Sequence, residues 1–178
     1  MAIEIKDEQA QAPAEMCMEM PKPQAEHAWL QRLVGEWTYE MSSDCGPDGQ
    51  PVKVTGTESI RAVGDFWIVG ESTGFSPDGS PATNVMTLGF DQSQGGYVGT
   101  WYSSMMSYLW VYKGTIDADN RVLTLACDGP SFEVEGKMTK YRDIITIVND
   151  EERLMTGNYL GEDGQWHEMM KMSFRRAS

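Results

Sequence analysis

The sequence predicts an all-β protein: an antiparallel up-and-down β-barrel of about ten strands, with one short N-terminal helix capping an end. Three observations carry that expectation. Turn chemistry recurs at near-regular spacing, from Gly46-Pro-Asp-Gly to Gly161-Glu-Asp-Gly. The segments between the turns run to about 8–12 residues and are rich in Val, Ile, Thr, Tyr, Trp and Phe, the residues that suit a pleated surface. A single stretch shows helical spacing. An open meander of so many strands would expose two edges and an apolar face, and closure removes both. A two-sheet sandwich is the runner-up.

The helix is expected over Pro23–Leu33. Ala28, Trp29, Leu33 and Val34 recur at helical spacing, Glu26 lies in the first turn and Arg32 in the last, and Gly35 stands where a C-cap would. Glu36 to Ser42 then alternates strictly, with Trp37, Tyr39 and Met41 on one face and Glu36, Thr38 and Glu40 on the other. Further strands are expected near 51–62, 66–75, 82–91, 96–103, 108–116, 121–127, 152–160 and 165–175. Around 134–148 two readings stay open: a division between Arg142 and Asp143, or one long bent strand. The turns supply their own reasons. Pro47 and Pro77 preset a turn at its second position, and Asp-Gly or Gly-Gly supplies positive φ.

The chain of 178 residues, 40% hydrophobic and 23% charged, suits one soluble domain with a substantial core. We expect a tail over residues 1–24, rich in Met, Pro, Ala, Gln and Glu, and a single barrel domain over 25–178. A net charge of −13 argues against nucleic acid and anionic membrane as partners, since both need concentrated positive charge. Cys17, Cys45 and Cys127 form neither a disulfide framework nor a zinc motif. The N-terminus lacks the basic start and apolar core of a signal peptide, and no apolar run reaches the roughly 20 residues of a membrane span. The expected compartment is the cytoplasm. Met16, Met18 and Met20 alternate with Cys17 and Glu19, a pattern that suits docking on a hydrophobic patch, including that of a second copy in a homodimer. Thioethers and one thiol with no neighbouring His offer little to copper.

The stretch from Pro21 through Trp29, Gly35-Glu-Trp37 and Tyr39-Glu resembles the opening of bacterial proteins grouped as domain of unknown function 1579. Gly99-Thr-Trp-Tyr-Ser-Ser-Met, the Gly161 turn and the closing Lys171-Met-Ser-Phe-Arg-Arg fit the same family, so the likeness spans 21–176. Gly-x-Trp after a short helix is also similar to the wider calycin group of lipocalins, fatty-acid-binding proteins and nitrobindins. The resemblance implies a lipocalin-like barrel in which Trp37 packs across the closed end, and it implies no activity. Nitrobindins hold haem through a His near the chain end, which by location alone points to His167. No resident cofactor is expected, and haem on His167 is the alternative.

Aromatic and Met side chains concentrate mid-chain, and they suit the walls of an apolar or aromatic ligand site. Candidates are Trp37, Tyr39, Trp67, Trp101, Tyr102, Met106, Trp110 and Tyr112. Alternation lets about half point inward, and the preferred inner set is Trp37, Tyr39, Trp101, Trp110 and Tyr112. The bland reading is that they fill the barrel. Glu71 and Arg142 interrupt apolar strands and would orient a ligand head group, or act in acid–base chemistry together with Tyr102 and His167. Outward projection of each into water is the default. His-Glu-x-x-His, P-loop and dinucleotide fingerprints are absent, and the Asp-rich turns lack the Gly and distal Glu of an EF-hand. The expected function is a module binding a small hydrophobic or aromatic molecule. An isomerase, cyclase or hydrolase using the same cavity ranks second, and a structural or regulatory partner third.

Overall fold

The computed structural model describes residues 20–43, 50–76 and 79–177. Most of the expected tail lies outside these residues, as do Cys17, Cys45, the 46–49 turn and Pro77-Asp78. One helix and ten strands follow in order: α1 (Ala25–Gln31), β1 (Gly35–Ser43), β2 (Val52–Val63), β3 (Trp67–Phe75), β4 (Pro81–Asp91), β5 (Gly96–Ser103), β6 (Trp110–Ile116), β7 (Val122–Pro130), β8 (Met138–Ile147), β9 (Glu152–Leu160) and β10 (Trp166–Arg176). Each strand pairs antiparallel with its neighbour in sequence, and β1 pairs with β10, so the sheet closes into an up-and-down barrel. Closure leaves no strand edge to template further pairing.

Residues 138–147 form one continuous strand, with Arg142 and Asp143 in its middle. Tyr141, Ile145 and Ile147 are buried on the same side as Asp143, and the i, i+2 rhythm runs unbroken through the polar pair. The helix is shorter than its apolar spacing suggests. It ends at Gln31 with Arg32 as C-cap, and a further turn leads to Gly35. Gly35 has φ of 136° and opens β1, and a Cβ there would lie 2.3 Å from Arg176 Nη1. It serves as the hinge from helix to strand.

Helix α1 lies across one end of the barrel. Trp29 Nε1 donates to the Asn120 carbonyl at 2.8 Å, and Tyr97 Oη donates to the Glu26 carbonyl at 3.4 Å. His27 is 1% exposed. Its Nδ1 accepts from the Gln24 amide at 2.9 Å, which places the ring proton on Nε2, and Nε2 donates to the Phe90 carbonyl at 3.1 Å. Beneath the helix, Leu30, Leu33, Ile60, Ile68, Leu88, Leu123, Leu125, Ile145 and Ile147 fill the barrel from wall to wall. Complete burial of each such side chain contributes on the order of 2 kcal/mol. Trp37 belongs to this end: its indole N–H donates to the Leu33 carbonyl at 2.9 Å. The Arg176 and Arg153 guanidiniums lie 4.3 and 4.9 Å from its ring centre. No helix among the described residues is long and apolar enough to cross a membrane.

Candidate functional site

Beyond Trp37 the barrel changes character. Glu58 lies opposite Trp37 on β2, and it pairs with Arg153, whose guanidinium stacks 3.6 Å from the Phe174 ring centre. Burial and the nearby Arg176 push Arg153 down to about 9, which leaves it charged at neutral pH. Glu58, held by Arg153 behind it, is the floor of a cavity of about 210 Å³ that opens at the end opposite the helix. Tyr39, Trp101, Trp110, Tyr112, Tyr141 and Phe174 form its aromatic wall. Met41, Met86, Met155, Met169, Met170 and Met172 line it further, with Met105 and Met106 at the mouth. The register of β10 against β9 shifts between Glu168 and Met170, and this bulge presents both Met169 and Met170 to the lumen.

Glycines make room for the largest wall groups. Tyr39 lies over Gly56 and Gly74, where a Cβ would come within 2.4 Å of its ring or hydroxyl, and its hydroxyl donates to the Thr73 carbonyl at 3.3 Å. Trp110 covers Gly129 in the same way, and its indole N–H reaches the Met106 sulfur at 3.3 Å. These aromatics are fixed by contact on one face and bare toward the cavity on the other. Around the mouth Phe75, Met105, Met106 and Phe132 are between 39% and 67% exposed, so the approach to the lumen is itself apolar.

One carboxyl group stands in the upper wall, and the neutral polar side chains of Ser72 and Asn84 also line the cavity. Asp143 lies on β8 among Tyr112, Cys127, Gly157 and Met170, and the Tyr112 hydroxyl donates to its Oδ2. The carboxylate is reached from the cavity and is enclosed by protein on its other sides. Burial raises it to about 6, against the opposing effect of the Tyr112 hydrogen bond. Burial first, and then Asp143, raises the Tyr112 hydroxyl well above its usual range and pushes the Cys127 thiol up to about 12. Cys127 is thus a packing residue rather than a reactive thiol.

The residues expected at the site from sequence separate into three groups. Tyr39, Trp101, Met106, Trp110 and Tyr112 line the cavity together. Trp37 faces inward but lies below the ion-pair floor. Trp67, Glu71, Tyr102 and Arg142 stand on the outer face: Trp67 covers Gly89, Tyr102 is 46% exposed, and Arg142 stacks 4.2 Å from the Trp166 ring centre. His167 lies at the rim, stacked on Tyr159 with Nε2 3.0 Å from Asp163. The acid–base set of Glu71, Tyr102, Arg142 and His167 therefore does not converge. Haem fits no better, because among the described residues no His lines the cavity and both ring nitrogens of His27 are engaged. No group of three or more His, Cys, Asp or Glu able to hold a metal occurs among the described residues.

The candidate set drawn from sequence does not contain Asp143, Glu58, Tyr141, Phe174 or most of the lumenal methionines. The signal for Asp143 was its place two residues from both Tyr141 and Ile145. The signal for Met170 and Met172 was their alternation with Phe174.

The protein of unknown function family DUF1579 matches residues 22–176. Among solved structures, Rv2717c from M. tuberculosis is similar with a TM-score of 0.58 and 12% identity, over 88% of this chain and 100% of that one. The S-type phycobiliprotein lyase CPES from Guillardia theta gives a TM-score of 0.56 and 14% identity, over 88% and 99%. At these identities the likeness is one of fold. No curated protein matches the sequence closely enough to count as a relative. The family match runs from the lead-in of the helix to the last barrel strand, and the chain is a member of the DUF1579 family.

Proposed function

We propose that the barrel is a binding module that holds a small hydrophobic or aromatic molecule in its lumen. One observation carries this reading: the half of the barrel away from the helix is hollow, open at its mouth and walled by aromatic and Met side chains. Flat rings and polarizable thioethers adapt to an apolar guest at small entropic cost. The size suits a molecule of one or two rings, since a cavity of ~150 Å³ already takes benzene. The same reading places the protein in the cytoplasm, where a net charge of −13 keeps a carrier soluble.

The test is a titration with a neutral reporter, N-phenyl-1-naphthylamine, whose fluorescence rises on transfer out of water. Saturable binding to the unaltered protein is expected, with loss in Met172→Trp, which fills the lumen. Circular dichroism checks that the variant keeps its fold. Equal binding to both proteins would place the dye on the outside and refute a lumenal site.

A further inference from the structure

Two carboxylates reach the lumen, and only one of them has a cation beside it. Glu58 is joined to Arg153 at the floor. Asp143 has the Tyr112 hydroxyl at Oδ2 and, among the described residues, no hydrogen-bond partner at Oδ1. The neighbouring elements add no positive charge. Opposite Asp143 are Leu125 of β7 and Gly157 of β9, with Cys127 and Met170 beside it. Among the described residues no Lys, Arg or His lines the cavity at all. A carboxyl group held in an apolar wall by one neutral donor is costly, and above the floor it is the one carboxyl in a lining whose other polar side chains, such as Ser72 and Asn84, are neutral.

We propose that Asp143 is the polar anchor of the lumenal site, and that the ligand is a hydrophobic or aromatic amine whose N–H group lies against its free oxygen. The inference rests on the lumen-binding reading and narrows it to a charge class. A fatty acid or other carboxylate would meet two acidic side chains and no free cation, so like charge and desolvation both oppose it. An ammonium or N–H donor completes the hydrogen bonds of Asp143, and a charge-assisted pair out of water is among the stronger contacts a site of this size can make. The orientation follows from the geometry. The amine lies in the upper wall between β6, β8 and β9, and the ring lies among Trp101, Trp110 and the methionines. Tyr112 holds Oδ2 and so turns Oδ1 toward the guest.

Three probes with one ring system separate the outcomes: 1-naphthylmethylamine, 1-naphthylmethanol and 1-naphthoate, titrated by calorimetry at pH 7.5 into the full chain and into Asp143→Asn. The amine is expected to bind the unaltered protein about tenfold or more tighter than the carboxylate. In Asp143→Asn that preference is expected to vanish while the alcohol keeps its affinity. Tyr112→Phe retains the charge and is expected to keep the preference for the amine. Two results would overturn the proposal with the lumen-binding reading intact: the carboxylate binding as tightly as the amine, or an amine preference that survives in Asp143→Asn. Failure of all three probes, the neutral alcohol included, would bring down the lumen-binding reading and this inference together.

Discussion

The two halves of the barrel are built on the same ten strands and differ in what those strands point inward. Under the helix, branched aliphatic side chains of fixed shape meet across the axis and leave no space, with Leu123 and Leu125 fully buried. Beyond the Glu58–Arg153 pair Met and aromatic side chains dominate the lining, and a cavity remains. The difference is one of packing at constant topology. Aromatics such as Tyr39 and Trp110 lie flat along the wall over glycines rather than crossing the lumen. One half thus holds the fold together, and the other is released to accept a guest.

The boundary of this division of labour is the most sensitive place in the molecule. Glu58→Ala would leave Arg153 charged, buried and unpaired, with an expected cost of about 3–5 kcal/mol in urea unfolding. Next comes the contrast between halves. Leu123→Ala in the filled half is expected to cost about 3 kcal/mol, whereas Met86→Ala, beside space that already exists, is expected to cost less than half as much. Equal losses would show that the open half is as tightly packed as the other.

Asp143 sharpens the comparison by reversing its sign. Its carboxyl titrates near 6 in the fold and near 3.8 when free. The folded state therefore binds the proton more tightly, and stability falls as pH rises between those values. Removing the charge in Asp143→Asn should stabilise the ligand-free protein at pH 7.5 by on the order of 2–3 kcal/mol, and the gain should disappear below about pH 4. Parallel melts of the two proteins across that range are the check, and a pH-independent difference would contradict it. Gly157→Ala is smaller: its methyl would sit 3.0 Å from Met170 and 3.3 Å from Asp143 Oδ1, and an overpacking cost of about 1 kcal/mol is expected. At the bottom of the scale, His167→Ala removes an exposed contact with Asp163 and should shift stability by less than about 0.5 kcal/mol.

The sequence carried the barrel because turns and alternation are local: Gly95-Gly96 or Gly161-Glu-Asp-Gly signals a reversal wherever it occurs. It carried the part of the site that follows from alternation too, which is why Tyr39, Trp101, Trp110 and Tyr112 were grouped on one face. Depth along the barrel axis was not legible. Trp37 and Tyr39 are two residues apart on the same face, yet the ion pair between β2 and β9 leaves one under the floor and the other in the cavity. Phase failed at one point for a physical reason. Arg142 and Asp143 look like a break in an apolar run, and attention to the larger side chain chose the residue that points outward. A strand continued through both puts Asp143 in register with Ile145, and so in the lumen. Closeness between distant strands, such as Tyr112 on β6 with Asp143 on β8, depends on barrel curvature, which no local pattern encodes.

The seam between β1 and β10 has a kinetic meaning. Trp37 pairs with Arg176, and Arg176 reaches back to the carbonyls of Val34 and Arg32. The first strand of the barrel therefore completes its hydrogen bonds only with the last one. Nine hairpin contacts between sequence neighbours can form early and locally, but the final pairing closes a loop of nearly the whole barrel. Until it does, β1 and β10 present two unpaired edges and the helix has no finished rim on which to sit. The seam is thus where this chain is most open to pairing with another copy of itself while it folds.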